Sequence, residues 1–386
     1  MPFIKARELA RFYKADPAKT VQQLRESLLK GEVKPDEFSV RDLAETFVPD
    51  GREWLRCLNP ADNGSYSVME AAGAVDTADF ANITGQIVYS AVMEQYENPG
   101  FVWPQLCKTI PTKLDGEKIP GVGAIGDMAE TIDPGQPYPL AGIAEDWIET
   151  PSTTKRGFIV PVTKEAIFFD RTNLVLKTAR DVGKWLGANK EKRVIDQALG
   201  VTNDYKWKGT AYSTYVSTPW DNTVSSNALA DWTDINNVLL QFSAMTDPAT
   251  AEPLLVVPKV LLCYTSLTAT ARYILNATQI LWDSNANAAT AKHMTYFDNP
   301  VRGAYQIISS PWIDARYTAG SVTSTTWFMG DFQSAFAYME NWPITVTQAA
   351  NNSDDEFNRD IVFKFKASER GTVAVLDPRY VCSSAA

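Results

Sequence analysis

Histidine is almost missing from this sequence: His293 is the only one in 386 residues. Imidazole is the commonest metal ligand and the usual general base near neutral pH, so a two-histidine zinc centre is excluded. Cysteine is scarce too. Cys57, Cys107, Cys263 and Cys382 stand far apart, with no C-x-x-C pair. That argues against a zinc cluster or redox dithiol and for reduced, mostly buried thiols. No apolar run approaches the roughly 18 residues needed to span a bilayer. Positive charge is in deficit: 36 Lys and Arg against 46 Asp and Glu give a net charge of −10. Such a chain does not grip nucleic acid with its whole surface. No apolar stretch follows the basic residues of Met1 to Glu8, so no signal peptide is read there and a cytoplasmic start is expected. Without a secretion signal, the Asn-x-Ser/Thr triplets at Asn63, Asn82 and Asn276 are chance matches. What is plentiful is apolar and aromatic: 45% hydrophobic residues, with 11% Phe, Trp and Tyr, demand burial and exclude a wholly disordered chain. The length suggests two or three domains of about 150 residues each.

Residues 1–60 are dense in charge of both signs and read as short helices. Asp16-Pro17 has the form of an N-cap followed by proline at the first helical position, and Gly31 ends the run carrying Val21, Leu24 and Leu28. Ser39 can cap a second helix with Val40, Leu43 and Phe47. Each helix has a single apolar stripe and must lie on something else, either this chain or a neighbouring copy. An arm is the favoured reading, and a small helical domain is the alternative. Phe80, Ile83, Ile87 and Ala91 give a further helix over 79–96.

Trp103 to Phe169 shows no helical period. Strands are expected at 105–110, 117–121 and 158–163, around a middle rich in Gly and Pro with acids interspersed. This reads as a long hairpin reaching about 40 Å if about 12 residues are extended. A lone hairpin is marginal in water, so contact with another copy is expected to complete it. Residues 173–199 give the strongest helix signal: Val175, Ala179, Val182, Leu186, Val194 and Ala198 form one stripe. Lys184, Lys190, Lys192 and Arg193 suit its C-terminal half. Gly183 and Gly187 lie four apart on one face and each costs about 1 kcal/mol against alanine. Either a neighbour packs closely there or the helix bends. Beyond residue 201, helices at 231–245 and 266–276 alternate with strands at 254–263, 305–310 and 326–329, an α+β pattern. Residues 335–347 and 360–375 read as strands. In the second, Phe363, Phe365 and Ala367 face in, and Lys364, Lys366 and Ser368 face out.

Gly121-Val122-Gly123-Ala124-Ile125-Gly126 matches G-x-G-x-x-G, but the strand and helix that a dinucleotide site needs are missing: Pro120 precedes it and Pro134, Pro137 and Pro139 follow. It reads as a loop. No P-loop, G-x-S-x-G or H-E-x-x-H motif occurs. The acid pairs Glu145-Asp146 and Asp354-Asp355-Glu356 could do acid/base work, but their polar surroundings favour solvated turns. His293, beside Lys292, has no evident partner. No catalytic, cofactor or metal site is expected.

The order of a helical N-terminal segment, an extended excursion, a long helix, a compact α+β part and terminal strands resembles the major capsid proteins of tailed bacteriophages, with their Hong Kong 97-type fold. The most similar stretches are Thr153-Thr154-Lys155-Arg156-Gly157-Phe158, Asn189-Lys190-Glu191-Lys192-Arg193-Val194-Ile195-Asp196, Phe357-Asn358-Arg359-Asp360-Ile361-Val362-Phe363, and Glu369-Arg370-Gly371-Thr372-Val373-Ala374-Val375. The resemblance implies an α+β chain with a helical arm over 1–102, an E-loop over 103–169, a P-domain spine helix over 170–204, an A domain over 205–335, and P-domain return strands with the C-terminus over 336–386. It implies a non-enzymatic shell subunit that forms pentamers and hexamers of an icosahedral head around double-stranded DNA, with no sequence-specific DNA contact and no membrane. Portal, scaffolding and decoration proteins are the implied further partners, and the virion, assembled in host cytoplasm, is the implied location. Lys113, Lys118, Tyr138, Glu145, Trp147, Lys155 and Arg156 are candidate contacts between copies. Gly183 and Gly187 are a candidate hinge of the spine helix. Some relatives join a Lys to a neighbour's Asn with a Glu as base. Here Ile361 and Ser368 occupy those two positions, so non-covalent contacts are expected. Two other readings stay open: a bacterial nanocompartment shell of the same fold, and a carboxylate-based hydrolase.

Overall fold

The computed structural model describes residues 6–35, 38–47, 76–120, 132, 146–163, 174–247, 252–283, 294–349 and 361–385. In chain order the helices and strands are α1 (Ala6–Ala15), α2 (Pro17–Leu29), α3 (Val40–Phe47), α4 (Asp76–Tyr96), α5 (Trp103–Leu106), β1 (Lys108–Pro111), β2 (Lys118–Pro120), β3 (Trp147–Glu149) and β4 (Thr154–Thr163). There follow α6 (Leu174–Ala198), β5 (Tyr205–Trp207), β6 (Thr210–Tyr212), β7 (Thr223–Val224), α7 (Trp232–Ala244), β8 (Val260–Cys263), α8 (Thr265–Asn276), β9 (Gln279–Asp283) and β10 (Met294–Asp298). The chain closes with β11 (Gln306–Ile308), α9 (Pro311–Ala319), β12 (Trp327–Gly330), α10 (Phe332–Ala335), β13 (Phe336–Gln348), β14 (Ile361–Val375) and β15 (Val381–Ser384). The α+β class expected from the sequence is what the chain adopts. Among the described residues, no helix is long and apolar enough to cross a membrane.

Two compact units share the chain, and they interleave rather than follow one another. The first draws on residues 1–101, 155–189 and 342–370. The Asp16 side chain accepts from the Lys19 N–H at 3.2 Å, Pro17 opens α2, and Gly31 at φ +71° ends it. These are the stop and start signals the sequence carries. Leu9 and Leu24 are fully buried, and Phe38 and Leu43 nearly so, in one cluster with Ile83, Ile87 and Ala91 of α4 and Ala179 and Leu186 of α6. Each buried Leu, Ile or Phe among them contributes about 1.5–3 kcal/mol. Of the two covers the sequence left open, the structure shows this chain: the apolar stripes of α1 to α3 lie in one cluster with α4 and α6. The outer face keeps Phe12 49% and Leu29 66% exposed.

The second unit draws on residues 102–154, 190–341 and 371–386. Its main sheet has the order β11-β8-β12-β15-β7. β8 and β12 are buried at every position, which explains their unbroken apolar runs, Val-Leu-Leu-Cys and Trp-Phe-Met-Gly. Alternation sends Leu261, Cys263, Trp327 and Met329 toward Ile235, Val238 and Phe242 of α7 and Ala271 and Ile274 of α8. Val260, Leu262 and Phe328 go the other way, into a cluster with Val194, Ile195 and Ala198 of α6 and Ile313 and Tyr317 of α9. Asp231 and Asp234 close a capping box at the start of α7.

Several boundaries differ from the sequence reading. Over 105–110, Trp103–Leu106 first makes a single helical turn, and the strand starts at Lys108. The hairpin's return flank is Trp147–Glu149, paired antiparallel with Lys118–Pro120, and not residues 158–163. Within 254–263 only Val260–Cys263 is a strand, and Pro258 just before it lacks the N–H a ladder needs. Ser368, expected to face out, is 5% exposed.

Candidate functional site

His293, Cys57 and the 354–356 acids lie outside the described residues. Among the described residues, no group of three or more His, Cys, Asp or Glu is placed to hold a metal ion. Cys107, Cys263 and Cys382 are free and buried. Burial pushes their thiols up, to about 12 for Cys107, about 11 for Cys263 and about 12 for Cys382. The sign follows directly: a raised thiol stays protonated, and the thiolate is the nucleophile. At pH 8 the thiolate fraction of Cys107 is about a thousandfold below that of an ordinary cysteine. An alkylating reagent at that pH should leave all three unmodified in the folded chain and label them only after unfolding, as read by peptide mass mapping.

What the structure does organise is the root of the excursion. Ile148, 3% exposed, anchors β3 between β2 and β5, in a sheet of order β2-β3-β5-β6. Lys118 lies with its Nζ 3.9 Å from the centroid of the Trp147 ring and 3.9 Å from a Glu149 carboxylate oxygen. The other Glu149 oxygen is 3.9 Å from Lys206 Nζ. Asp146 accepts from Trp207 Nε1 at 2.5 Å and lies 3.9 Å from Lys208 Nζ. Behind this, Asp115 accepts from the backbone and side chain of Thr153 at 2.7 and 2.9 Å, and Asn341 donates to the Leu114 carbonyl at 2.9 Å. β5 contributes Tyr205 and Trp207 to an aromatic box in which they and Tyr212 pack against Trp220. The root is therefore fixed from both sides, by buried apolar contact and by charge-assisted bonds.

Of the seven candidate contact residues, the structure brings Lys118 and Trp147 together. Lys113 is exposed on the turn before β2. Lys155, exposed, and Arg156, half-buried, begin β4. Tyr138 and Glu145 lie outside the described residues. Gly183 and Gly187 are buried on α6. A β-carbon on Gly183 would overlap the Val92 carbonyl of α4, and one on Gly187 would lie 2.6 Å from Phe101 Cε2 and 3.0 Å from the Tyr96 carbonyl oxygen. The close-neighbour alternative thus accounts for both glycines without a bend.

Sequence reasoning missed a second anchor. Lys190 is 2% exposed, its Nζ 3.8 Å from the Trp103 ring centroid and 4.0 Å from that of Tyr338. It is a cation between two aromatic faces, not a solvated helix-end charge. Glu191, fully buried, accepts from the backbone N–H groups of Val102 and Trp103 at 3.0 and 2.8 Å. Burial raises its carboxyl, while those two bonds pull it back down. Together the pair hold α5, the first turn of the excursion, on α6. Nothing in the sequence signalled this, because Trp103 and Glu191 are far apart along the chain.

The sequence profile of a family described as phage capsid protein matches residues 148–384. Among curated proteins, none matches. Several solved capsids are among the structures this chain is similar to. The capsid of a native GTA particle is 11% identical, covers 77% of this chain and 91% of that one, and has a TM-score of 0.45. The capsid of cyanophage P-SCSP1u is 12% identical, with 74% and 88% coverage and a TM-score of 0.44. A virus-like particle from Pyrococcus furiosus is 10% identical, with 77% and 97% coverage and a TM-score of 0.40.

Proposed function

Because this chain belongs to the phage capsid protein family, we propose that its copies close into an icosahedral shell around double-stranded DNA. It is a structural capsid subunit of Hong Kong 97-type α+β architecture, and its work is self-association. The observation that supports the finer reading is the antiparallel root at Lys118–Pro120 and Trp147–Glu149, which brackets residues 121–145 along the chain. That segment and the outer face of α1 and α2, with Phe12 and Leu29 at the surface, supply the contacts between copies in this reading. Those contacts are non-covalent: Ile361 has no carboxamide and Ser368 no carboxylate with which to build a Lys–Asn bond. The net charge of −10 suits a container that must not adsorb its cargo strongly. A portal at one vertex, scaffolding or decoration proteins, and assembly in the host cytoplasm complete the reading. Gly183 and Gly187 serve close packing in this reading, and any bending of α6 would have to separate it from α4 first.

Electron microscopy of the purified full-length protein tests the proposal. Closed shells are expected, and particles formed in the presence of a packaging system should protect duplex DNA from nuclease. Boiling in SDS should return single chains. Compact monomers at every concentration would reject the shell, and a ladder of covalent oligomers would reject the non-covalent contacts.

A further inference from the structure

The first unit carries an open groove between α4 on one side and α2 with the turn after it on the other, about 350 Å³ in volume. The α4 wall is a helical stripe of Gln86, Tyr89, Ser90, Met93 and Glu94, ending in Glu97 just past the helix. Positions three and four apart share a helix face, so this wall is three turns, about 16 Å at 1.5 Å per residue. The opposite wall supplies Leu28, Leu29, Val33 and Pro35. Leu28 and Val33 belong to the buried core beneath, and Leu29 stays 66% exposed. The two lips differ in charge. Arg25, Lys30 and Lys34 line the α2 side, all exposed and without an ion pair among the described residues. On the α4 side Glu94 is held by Arg180 at 3.2 Å, which leaves Glu97. The groove is thus apolar along its floor and cationic along one lip, on a chain whose net charge is −10.

A groove of helical length with these walls fits an amphipathic helix that lays its apolar side on Leu29 and Met93 and turns carboxylates toward Arg25, Lys30 and Lys34. We infer that it binds such an acidic helix from a different protein. A second copy of this chain fits less well: the exposed Phe12 of α1 stands beside Arg11 and Lys14, which would meet the same cations. The groove also lies outside residues 148–384, so the family match does not account for it. Where the helix is bound it covers Leu29, and Phe12 stays for the contacts between copies.

Binding to the full chain tests this, with two labelled synthetic helices of about 18 residues as probes. Each has leucine on one face and either glutamate or lysine along its flanks. A chain of net charge −10 attracts the lysine helix over its surface as a whole, so preference for the glutamate helix is a signature of the groove. By fluorescence anisotropy the glutamate helix should bind at least tenfold more tightly than the lysine helix. Lys30→Glu with Lys34→Glu, both at exposed positions, should leave the subunit folded by circular dichroism and reverse that order. Leu29→Ser should weaken binding of the glutamate helix at least threefold. Tighter binding of the lysine helix by the wild type, or glutamate binding that survives the charge reversal, overturns the inference. So does capture of phosphatidylglycerol vesicles without peptide binding, which would assign the groove to a membrane. Loss of self-association in the variants without peptide binding by the wild type would assign it to a second copy and overturn it too. The measurement is made on single chains, so failure to form shells would strike the capsid reading and not this one.

Discussion

Gly183→Ala lowers the stability of the chain by about 2 kcal/mol, although alanine is the better helix former. The glycine lies where α6 crosses α4, and the added methyl would overlap the Val92 carbonyl, a backbone atom that cannot rotate away. Overpacking against a fixed neighbour costs about 1–3 kcal/mol in most cores, and backbone places this site at the upper end, while the propensity gain of about 1 kcal/mol offsets only part of it. Chemical denaturation of the purified subunit measures the effect. Gly187→Ala should cost less, because Phe101, one of its neighbours, can turn aside. A Gly183→Ala subunit as stable as the wild type would show that α4 and α6 do not meet here. The same result bears on the hinge: both variants disturb packing, so failed assembly of the double variant would not by itself reveal a bend.

The second large effect is at Glu191. Glu191→Ala should cost about 3–5 kcal/mol, since it strips the Val102 and Trp103 N–H groups of their acceptor and opens a cavity beside the buried Lys190. Glu191→Gln keeps an acceptor and should cost about 1 kcal/mol. The pH dependence has a definite sign. Burial raises the carboxyl, so the folded chain holds that proton more tightly than the unfolded chain does. Its contribution is full below the ordinary glutamate value and is lost as pH rises through the raised one. The Gln variant should lack that decline. Equal stability of wild type and Ala variant would remove the anchor from the account.

The elements with a strong period were legible in the sequence, and their surroundings were not. α6 was expected over 173–199 and runs Leu174–Ala198, because its apolar stripe repeats over seven turns. β14 showed itself through alternation, with Phe365 and Ala367 buried as expected. The stripes of α1 to α3 were equally plain, yet a stripe states only that something covers it. Whether this chain or a neighbouring copy supplied that cover stayed open in the sequence, and for Leu9, Leu24 and Leu43 it is this chain. Family membership now carries the capsid reading. β3 escaped because three residues with one buried side chain, Ile148, are too short to show a period. Lys190 and Glu191 escaped because burial of a charge depends on partners such as Trp103 and Tyr338, remote in sequence.

Sedimentation velocity of the full-length protein under assembly conditions bears most directly on all of this. A megadalton boundary that dissociates reversibly into subunits of one chain is the predicted result. A single boundary at the mass of one chain, unchanged as concentration rises, would contradict the claim that this polypeptide builds a shell from itself.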